Sequence, residues 1–251
     1  MKNLFIEDFN IYNSGNVVAY LKDTDFLQKL NEKSKILNWG RGYVLDVDGY
    51  IIRFYFHGGI FRFLLSDYFF SEKRFLNELS IHNYLYKNNF NVPKPIGVIY
   101  FKKFIWYHGV FITKKIEGAI DLIDALREGK YIDFYQIGKF VRRLHDFHVI
   151  HGDLHLKNFL IDKNLNFYLI DFDKSFFSEN EKDKLNNIFR FFRSIYKFQY
   201  YNFKIDIEKT IEQFLKGYGL DNNLKNKIKL SFFNKISWKL NKPLYKRRNW
   251  I

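Results

Sequence analysis

Cysteine is absent from the 251 residues, methionine occurs once and proline three times. Without cysteine there is no disulfide framework and no thiolate-ligated zinc, which fits a reducing compartment. No run of about 18 uncharged apolar residues occurs, so no segment reads as a transmembrane helix. Met1 to Asp8 carries acids in its first turns and lacks an apolar h-region, so no secretory signal is read there. Internal repeats, low-complexity linkers and nucleic-acid-binding motifs are missing too.

Apolar residues make up 47% of the chain, enough to build a core for one large domain or two lobes. Lysine and arginine number 41 against 27 acids, a net charge of +14. That excess suits an anionic partner such as a nucleotide, a phosphorylated lipid or a membrane surface. A general bias toward Lys, Asn, Phe, Ile and Tyr would raise the same figure without any partner.

The chain is organised around His151-Gly-Asp-Leu-His-Leu-Lys-Asn158. Two short apolar runs follow, joined by the polar turn Asp162 to Asn166, and then Asp171-Phe172-Asp173. A kinase-like phosphotransferase needs this layout. Asp153 on a loop orients or deprotonates the acceptor hydroxyl. Asn158 and Asp171, brought together by the hairpin, hold Mg²⁺ against the phosphates of ATP. A polar loop beside an ordinary hairpin is the alternative, and the added His and second Asp argue against it.

Upstream, Asp48-Gly49 between two β-rich runs predicts a hairpin. Gly40-Arg41-Gly42 ahead of it would let backbone N–H groups approach phosphates, or would simply turn the chain. Arg53 lies in the second strand of the hairpin, where protein kinases place a phosphate-binding Lys. Ser71 to Asn88 reads as a helix with Phe75, Leu79, His82 and Tyr86 on one stripe. Glu78 beside that stripe could face Arg53 and fix it against the nucleotide, or could be a solvated helix residue. Pro93 and Pro95 follow the end of the helix. Residues 1–35 suggest a strand or two and a short polar helix near Asp25 to Lys33.

Ile96 to Tyr100 and Tyr107 to Lys114 read as paired strands. Thr113 to Ala119 then leaves the sheet where a hinge would fall, offering backbone groups to adenine, with Lys115 among the cofactor residues. Helices are expected over Asp121 to Gly129, Ile132 to Phe147, Asp183 to Phe198, Ile207 to Gly217 and Asn223 to Leu240. The chain is thus α+β and protein-kinase-like with two lobes. A small β-rich N-lobe (1–113, an antiparallel sheet plus one helix) leads through a hinge (114–118) to a mainly helical C-lobe (119–251) carrying the catalytic loop. Two stretches are candidates for lipid contact: the apolar run from Ile60 to Phe70, and the basic tail from Lys239 to Arg248 with its interleaved Trp and Tyr. Buried packing and a solvated tail are the plainer readings of the two.

Several segments resemble the 3-deoxy-D-manno-octulosonic acid (Kdo) kinases, small relatives of protein kinases that act on the lipopolysaccharide inner core. They are Gly40-Arg41-Gly42, Arg53 to Gly59, Asp67-Tyr68, Val92 to Ile96, Thr113 to Ile116, Leu144-His145-Asp146, the loop from His151 to Asn158, Leu169 to Asp173, and Asn187 to Ser194. The likeness runs from about residue 38 to about residue 196. Arg53 in place of Lys and Asp-Phe-Asp in place of Asp-Phe-Gly are features of that family. His155 stands where the family has Asn, and Phe56-His57 is less basic than its counterpart. The resemblance implies an ATP- and Mg²⁺-dependent transfer of phosphate to a hydroxyl of Kdo on a lipid A precursor. It implies a peripheral enzyme on the cytoplasmic side of a bacterial inner membrane, with the lipid-linked acceptor and the membrane surface as partners. No nucleic acid and no obligate protein partner is expected. The alternatives are a lipopolysaccharide heptose kinase, an aminoglycoside-type phosphotransferase and a non-catalytic nucleotide-binding scaffold.

Overall fold

The computed structural model describes residues 5–25, 27, 35–39, 42–55, 69–200, 205–220 and, near the end, 223, 225, 228 and 230–232. The chain forms two compact units. One comprises Met1–Ile120 and Leu160–Phe176, the other Asp121–Phe159 and Phe177–Ile251. The first therefore takes back a piece of chain that follows the catalytic-loop sequence.

The first unit is built on a seven-stranded antiparallel sheet. Its strands are β1 (Asn10–Ser14), β2 (Val17–Leu21), β3 (Lys35–Trp39), β4 (Gly42–Val47) and β5 (Tyr50–Phe54), then β6 (Pro95–Lys103) and β7 (Trp106–Lys114). Their order across the sheet is β1-β2-β6-β7-β5-β4-β3. Asp48 (φ 44°) and Gly49 (φ 80°) make the tight β4–β5 turn, so that Val47 pairs with Tyr50. Asp and Gly are the residues that tolerate this left-handed backbone.

Among the described residues between β5 and β6 lies the helix α1 (Lys73–Lys87), close to the span its periodicity predicts. Phe75 and Leu79 on its stripe join Tyr55, Val98, Tyr100 and Phe111 in one core, while Tyr50, Ile52, Ile96 and Ile112 fill a second. Adjacent Phe111 and Ile112 fall in different cores, as strand alternation requires. Ile96 and Val98 also fall in different cores although they are two apart. A bulge between Pro95 and Gly97 supplies the extra residue that inverts the faces. Gly97 is needed there, because a Cβ would sit 2.0 Å from the Tyr20 carbonyl oxygen.

The second unit is helical, with α2 (Leu122–Arg127) and α3 (Phe134–Asp146) preceding the catalytic-loop sequence. The hairpin strands β8 (Phe159–Ile161) and β9 (Phe167–Leu169) come after that loop, in the stretch that returns to the first unit from Leu160, and α4 (Glu181–Tyr200) and α5 (Ile207–Tyr218) belong to the second. The Asp121 and Asp133 carboxylates cap α2 and α3 by accepting first-turn N–H groups. Where α3 crosses α5, a Cβ on Gly138 would lie 2.1 Å from the Phe214 oxygen, and one on Gly217 would lie 1.9 Å from the Tyr135 oxygen. Two glycines facing across the crossing let the backbones touch. The helix expected from Asn223 lies largely outside the described residues, as do the Asp25 to Lys33 helix, the run from Ile60 to Tyr68 and the basic tail.

Candidate active site

In the first unit, β5, α1 and the chain after β9 bring five charged side chains together. Arg53 on β5 donates from Nη2 to Glu78 Oε1 at 2.5 Å, the pairing that the sequence suggests. Its Nη1 lies 3.3 Å from Asp171 Oδ1. One turn before Glu78 on α1, Arg74 pairs with Asp173 and stacks its guanidinium over the Phe69 ring. Asn77 donates to the Ser175 carbonyl oxygen at 2.9 Å. Phe172, between the two aspartates, is fully buried against His82 of α1. The Leu169 N–H donates to the Asn91 carbonyl, which ties the end of β9 to the loop after α1. Asp171 itself takes a left-handed backbone, φ 68°.

Burial governs the electrostatics of this group. Glu78 has no solvent exposure, and desolvation lifts its carboxyl to about 7 although Arg53 pulls the other way. Desolvation opposes the charge on Arg53, but Glu78 and Asp171 together outweigh it and raise the guanidinium further. Burial holds His82 neutral, with its pKa lowered to about 4. Its Nε2–H donates to the Pro93 carbonyl oxygen at 2.7 Å. Lys115 pairs its ammonium with Asp46 at 2.7 Å and donates its backbone N–H to the Gly49 carbonyl. The hydrogen bond to Asp46 raises the Lys115 pKa. Gly42 opens β4, whereas Gly40 and Arg41 lie outside the described residues.

In the second unit, the loop from His151 to Asn158 is anchored by Leu154 and Leu156, both fully buried, and turns at Gly152, φ 70°. Asn158 donates from Nδ2 to the Asp153 carbonyl oxygen at 3.0 Å. That bond fixes the amide so that Oδ1, an oxygen donor, is the atom directed elsewhere. Helix α4 holds the loop from the side. Arg190 brings Nε to 3.1 Å from Asp153 Oδ1 and donates from Nη1 to the Gly152 carbonyl. The Ser194 hydroxyl accepts the Leu156 N–H at 3.2 Å. Asn187 accepts from His145 Nε2 at 3.1 Å, while the Tyr218 hydroxyl donates to His145 Nδ1 at 2.8 Å. Burial keeps this histidine neutral, with a pKa near 4.

Asn187, Arg190 and Ser194 are spaced i, i+3, i+7 and so share one face of α4. Their places in the loop's support, and those of Arg74 and Asp173, were not legible as roles in the sequence. The polar i, i+3, i+7 stripe beside the buried Ile188, Phe191, Phe192 and Ile195 is the signal that could have found the first three. Among the described residues, no cluster of three or more His, Cys, Asp or Glu could hold a metal ion by itself. In the second unit Asn158 Oδ1, and in the first the Asp171 carboxylate, are oxygen donors of the kind that suits a hard cation.

The model of the lipopolysaccharide kinase (Kdo/WaaP) family matches residues 40–218. The chain belongs to that family. It is 35% identical over 170 residues to a 3-deoxy-D-manno-octulosonic acid kinase of Photobacterium profundum, covering 64% of this chain and 72% of the relative. A kinase of the same name from Mannheimia succiniciproducens is 35% identical over 178 residues, 66% of this chain and 74% of the relative. One from Vibrio cholerae is 34% identical over 152 residues, 58% of this chain and 65% of the relative, just under two thirds of its length. Membership makes the protein a phosphotransferase of protein-kinase-like fold, with ATP as the implied donor.

Proposed function

We propose that this protein transfers the γ-phosphoryl group of ATP to a hydroxyl of a Kdo sugar on a lipid A precursor, in lipopolysaccharide inner-core synthesis. The observation that carries the reading is the fixed carboxylate of Asp153 in a chain whose relatives bear the name Kdo kinase. Asp153 orients the acceptor hydroxyl and takes its proton as the new O–P bond forms and ADP leaves. Arg190 keeps that carboxylate from swinging and Asn158 fixes the backbone that carries it, so little reorganisation is needed at the moment of transfer.

Arg53 grips phosphate oxygens of ATP, and Glu78 holds Arg53 in place. Its planar fork suits two phosphate oxygens as a lysine ammonium does not. Gly40, Arg41 and Gly42 approach the phosphates through backbone N–H groups. The Lys115 carbonyl serves the adenine, since its N–H and ammonium are engaged by Gly49 and Asp46. Asn158 and Asp171 each give an oxygen to Mg²⁺, which neutralises phosphate charge when bound. No helix among the described residues is long and apolar enough to cross a membrane. The lipid-borne acceptor brings the enzyme to a membrane surface as a peripheral protein, and the proposed place in inner-core synthesis puts that surface on the cytoplasmic side of the inner membrane.

Transfer from labelled ATP to Kdo-bearing lipid A precursor, compared with heptosylated core, an aminoglycoside and RNA, tests the assignment. Label on the Kdo acceptor alone is expected. Preference for heptosylated core would reassign the acceptor, and label on none of the four would refute kinase activity on these substrates.

A further inference from the structure

We infer that the tip of the β6–β7 hairpin inserts into an anionic lipid bilayer and seats the enzyme on the membrane surface. Lys103 pairs with Trp106, so the turn is the two residues Phe104 and Ile105. Two-residue hairpin turns favour Asn-Gly or Asp-Gly, because the first position requires a positive φ. Phe104 occupies that position at φ 56°. A bulky residue in this conformation is an outlier. Neither turn residue gains the packing that would offset it, for Phe104 is 85% exposed and Ile105 64% exposed. Beside them Phe70, 65% exposed, sets its ring 4.7 Å from Trp106.

The folded protein alone gives no reason for a strained, apolar turn that points into water. An apolar phase that receives the turn supplies one. The flanks identify that phase. Lys102 and Lys103 precede the turn and are exposed, and no acid occurs between Ile96 and Ile116. Trp106, at the base of the turn, is the residue type favoured at the level of lipid headgroups. Two apolar residues at a convex tip, a tryptophan behind them and lysines at the side match an anionic bilayer, and the net charge of +14 favours the same partner. The inference rests on the reading that the acceptor is lipid-borne. It puts the contact on a hairpin that the sequence does not mark, beside Phe70, the last residue of one of the two stretches that it does.

The test uses the full-length protein with phosphatidylglycerol-containing vesicles and with pure phosphatidylcholine vesicles, at low and high salt. The double variant Phe104→Asn/Ile105→Gly installs a favoured turn, so its melting temperature should equal or exceed that of the natural chain. It should lose on the order of tenfold in affinity for anionic vesicles. Lys102→Gln/Lys103→Gln should lose mainly the part of binding that salt screens. Activity on a water-soluble, de-acylated Kdo acceptor should not change in either variant. Unchanged vesicle binding in the Phe104/Ile105 variant overturns the inference. So does a natural chain that ignores anionic vesicles, or a variant that only converts a dimer to a monomer. If the soluble acceptor is never phosphorylated while vesicle binding still depends on the tip, the proposed reaction fails and the membrane contact stands.

Discussion

Arg53 and Arg190 are both arginines paired with an aspartate of the candidate site, yet their surroundings are opposite. Arg53 is 22% exposed and sits between a fully buried Glu78 and Asp171. Arg190 is 41% exposed, contacts Asp153 and otherwise binds a backbone carbonyl. Around Arg53 the charges hold one another, so each is needed to keep the others compensated. Around Arg190 the loop is held by neutral contacts: buried leucines, the Ser194 hydroxyl and the Asn158 amide. With Arg53 on ATP as proposed, the first arrangement should couple ATP binding to the stability of α1. With Asp153 as the proposed base, the second should confine a change in Asp153 to chemistry.

Two substitutions should break this comparison most sharply. Asp171→Ala removes a proposed metal ligand and one anion beside Arg53. Turnover should vanish at every Mg²⁺ concentration, and ATP affinity, read by calorimetry, should fall with it. Asp153→Asn keeps the shape of the loop and removes the base. Turnover should fall by about 10²–10⁴, with ATP affinity and melting temperature close to those of the natural chain. Near-normal turnover in Asp153→Asn would remove Asp153 from the chemistry.

Glu78→Ala comes next. It leaves a largely buried guanidinium with Asp171 as its paired anion among the described residues. The cost should be about 3 kcal/mol of stability, measured by urea unfolding, because removing one partner of a buried pair exposes the other to desolvation. The KM for ATP should rise and that for the acceptor should stay. A change confined to the acceptor would move Arg53 to the sugar.

What the sequence reveals follows from range. The Asp48-Gly49 turn, helix α1 and the β8–β9 hairpin are local, and periodicity with turn residues finds them. The Arg53–Glu78 pair was legible because, of the two acids on the apolar-striped helix after the strand, Glu78 neighbours the stripe and Glu72 lies in the first turn. Arg74 and Asp173 are 99 residues apart, and no local pattern links them. An aspartate where protein kinases carry Gly was a hint, since a second carboxylate near Asp171 demands a cation. Strands β6 and β7 run longer than expected because Phe104-Ile105 carries no turn signature. Pro95, read as a helix stop, also begins a strand at a bulge, one of the few strand positions open to proline.

The Arg74–Asp173 pair sharpens the comparison with a smaller effect. If it holds Phe172 and Asp171 against α1, Arg74→Ala and Asp173→Ala should each reduce turnover, and together cost no more than either alone. A double-mutant cycle on kcat/KM for ATP should give a coupling of about 1–2 kcal/mol. Additive losses would make the pair a surface contact.

The smallest effect is on pH, and its size differs between the units. Glu78 must be ionised to hold Arg53, and burial lifts its carboxyl to about 7. Acidification from pH 8 to pH 6 should therefore raise the KM for ATP, and Glu78→Gln should remove that dependence. For stability, folded Glu78 keeps its proton up to about 7 whereas the unfolded residue loses it near 4.5, so lowering pH through that window adds stability. The histidines act in the reverse sense. Unfolded His82 and His145 take protons near 6.5, but burial keeps both folded rings neutral down to about 4, so stability is lost as pH falls between those values. In the first unit, Glu78 and His82 oppose each other. In the second, His145, held between Tyr218 and Asn187, is opposed by Asp121, a carboxyl that burial raises from a lower starting value than that of Glu78. Hydrogen exchange between pH 7 and pH 5 should show α3 amides losing protection before α1 amides, and His145→Gln should narrow the gap. Equal loss in both helices would mean that the two units unfold as one.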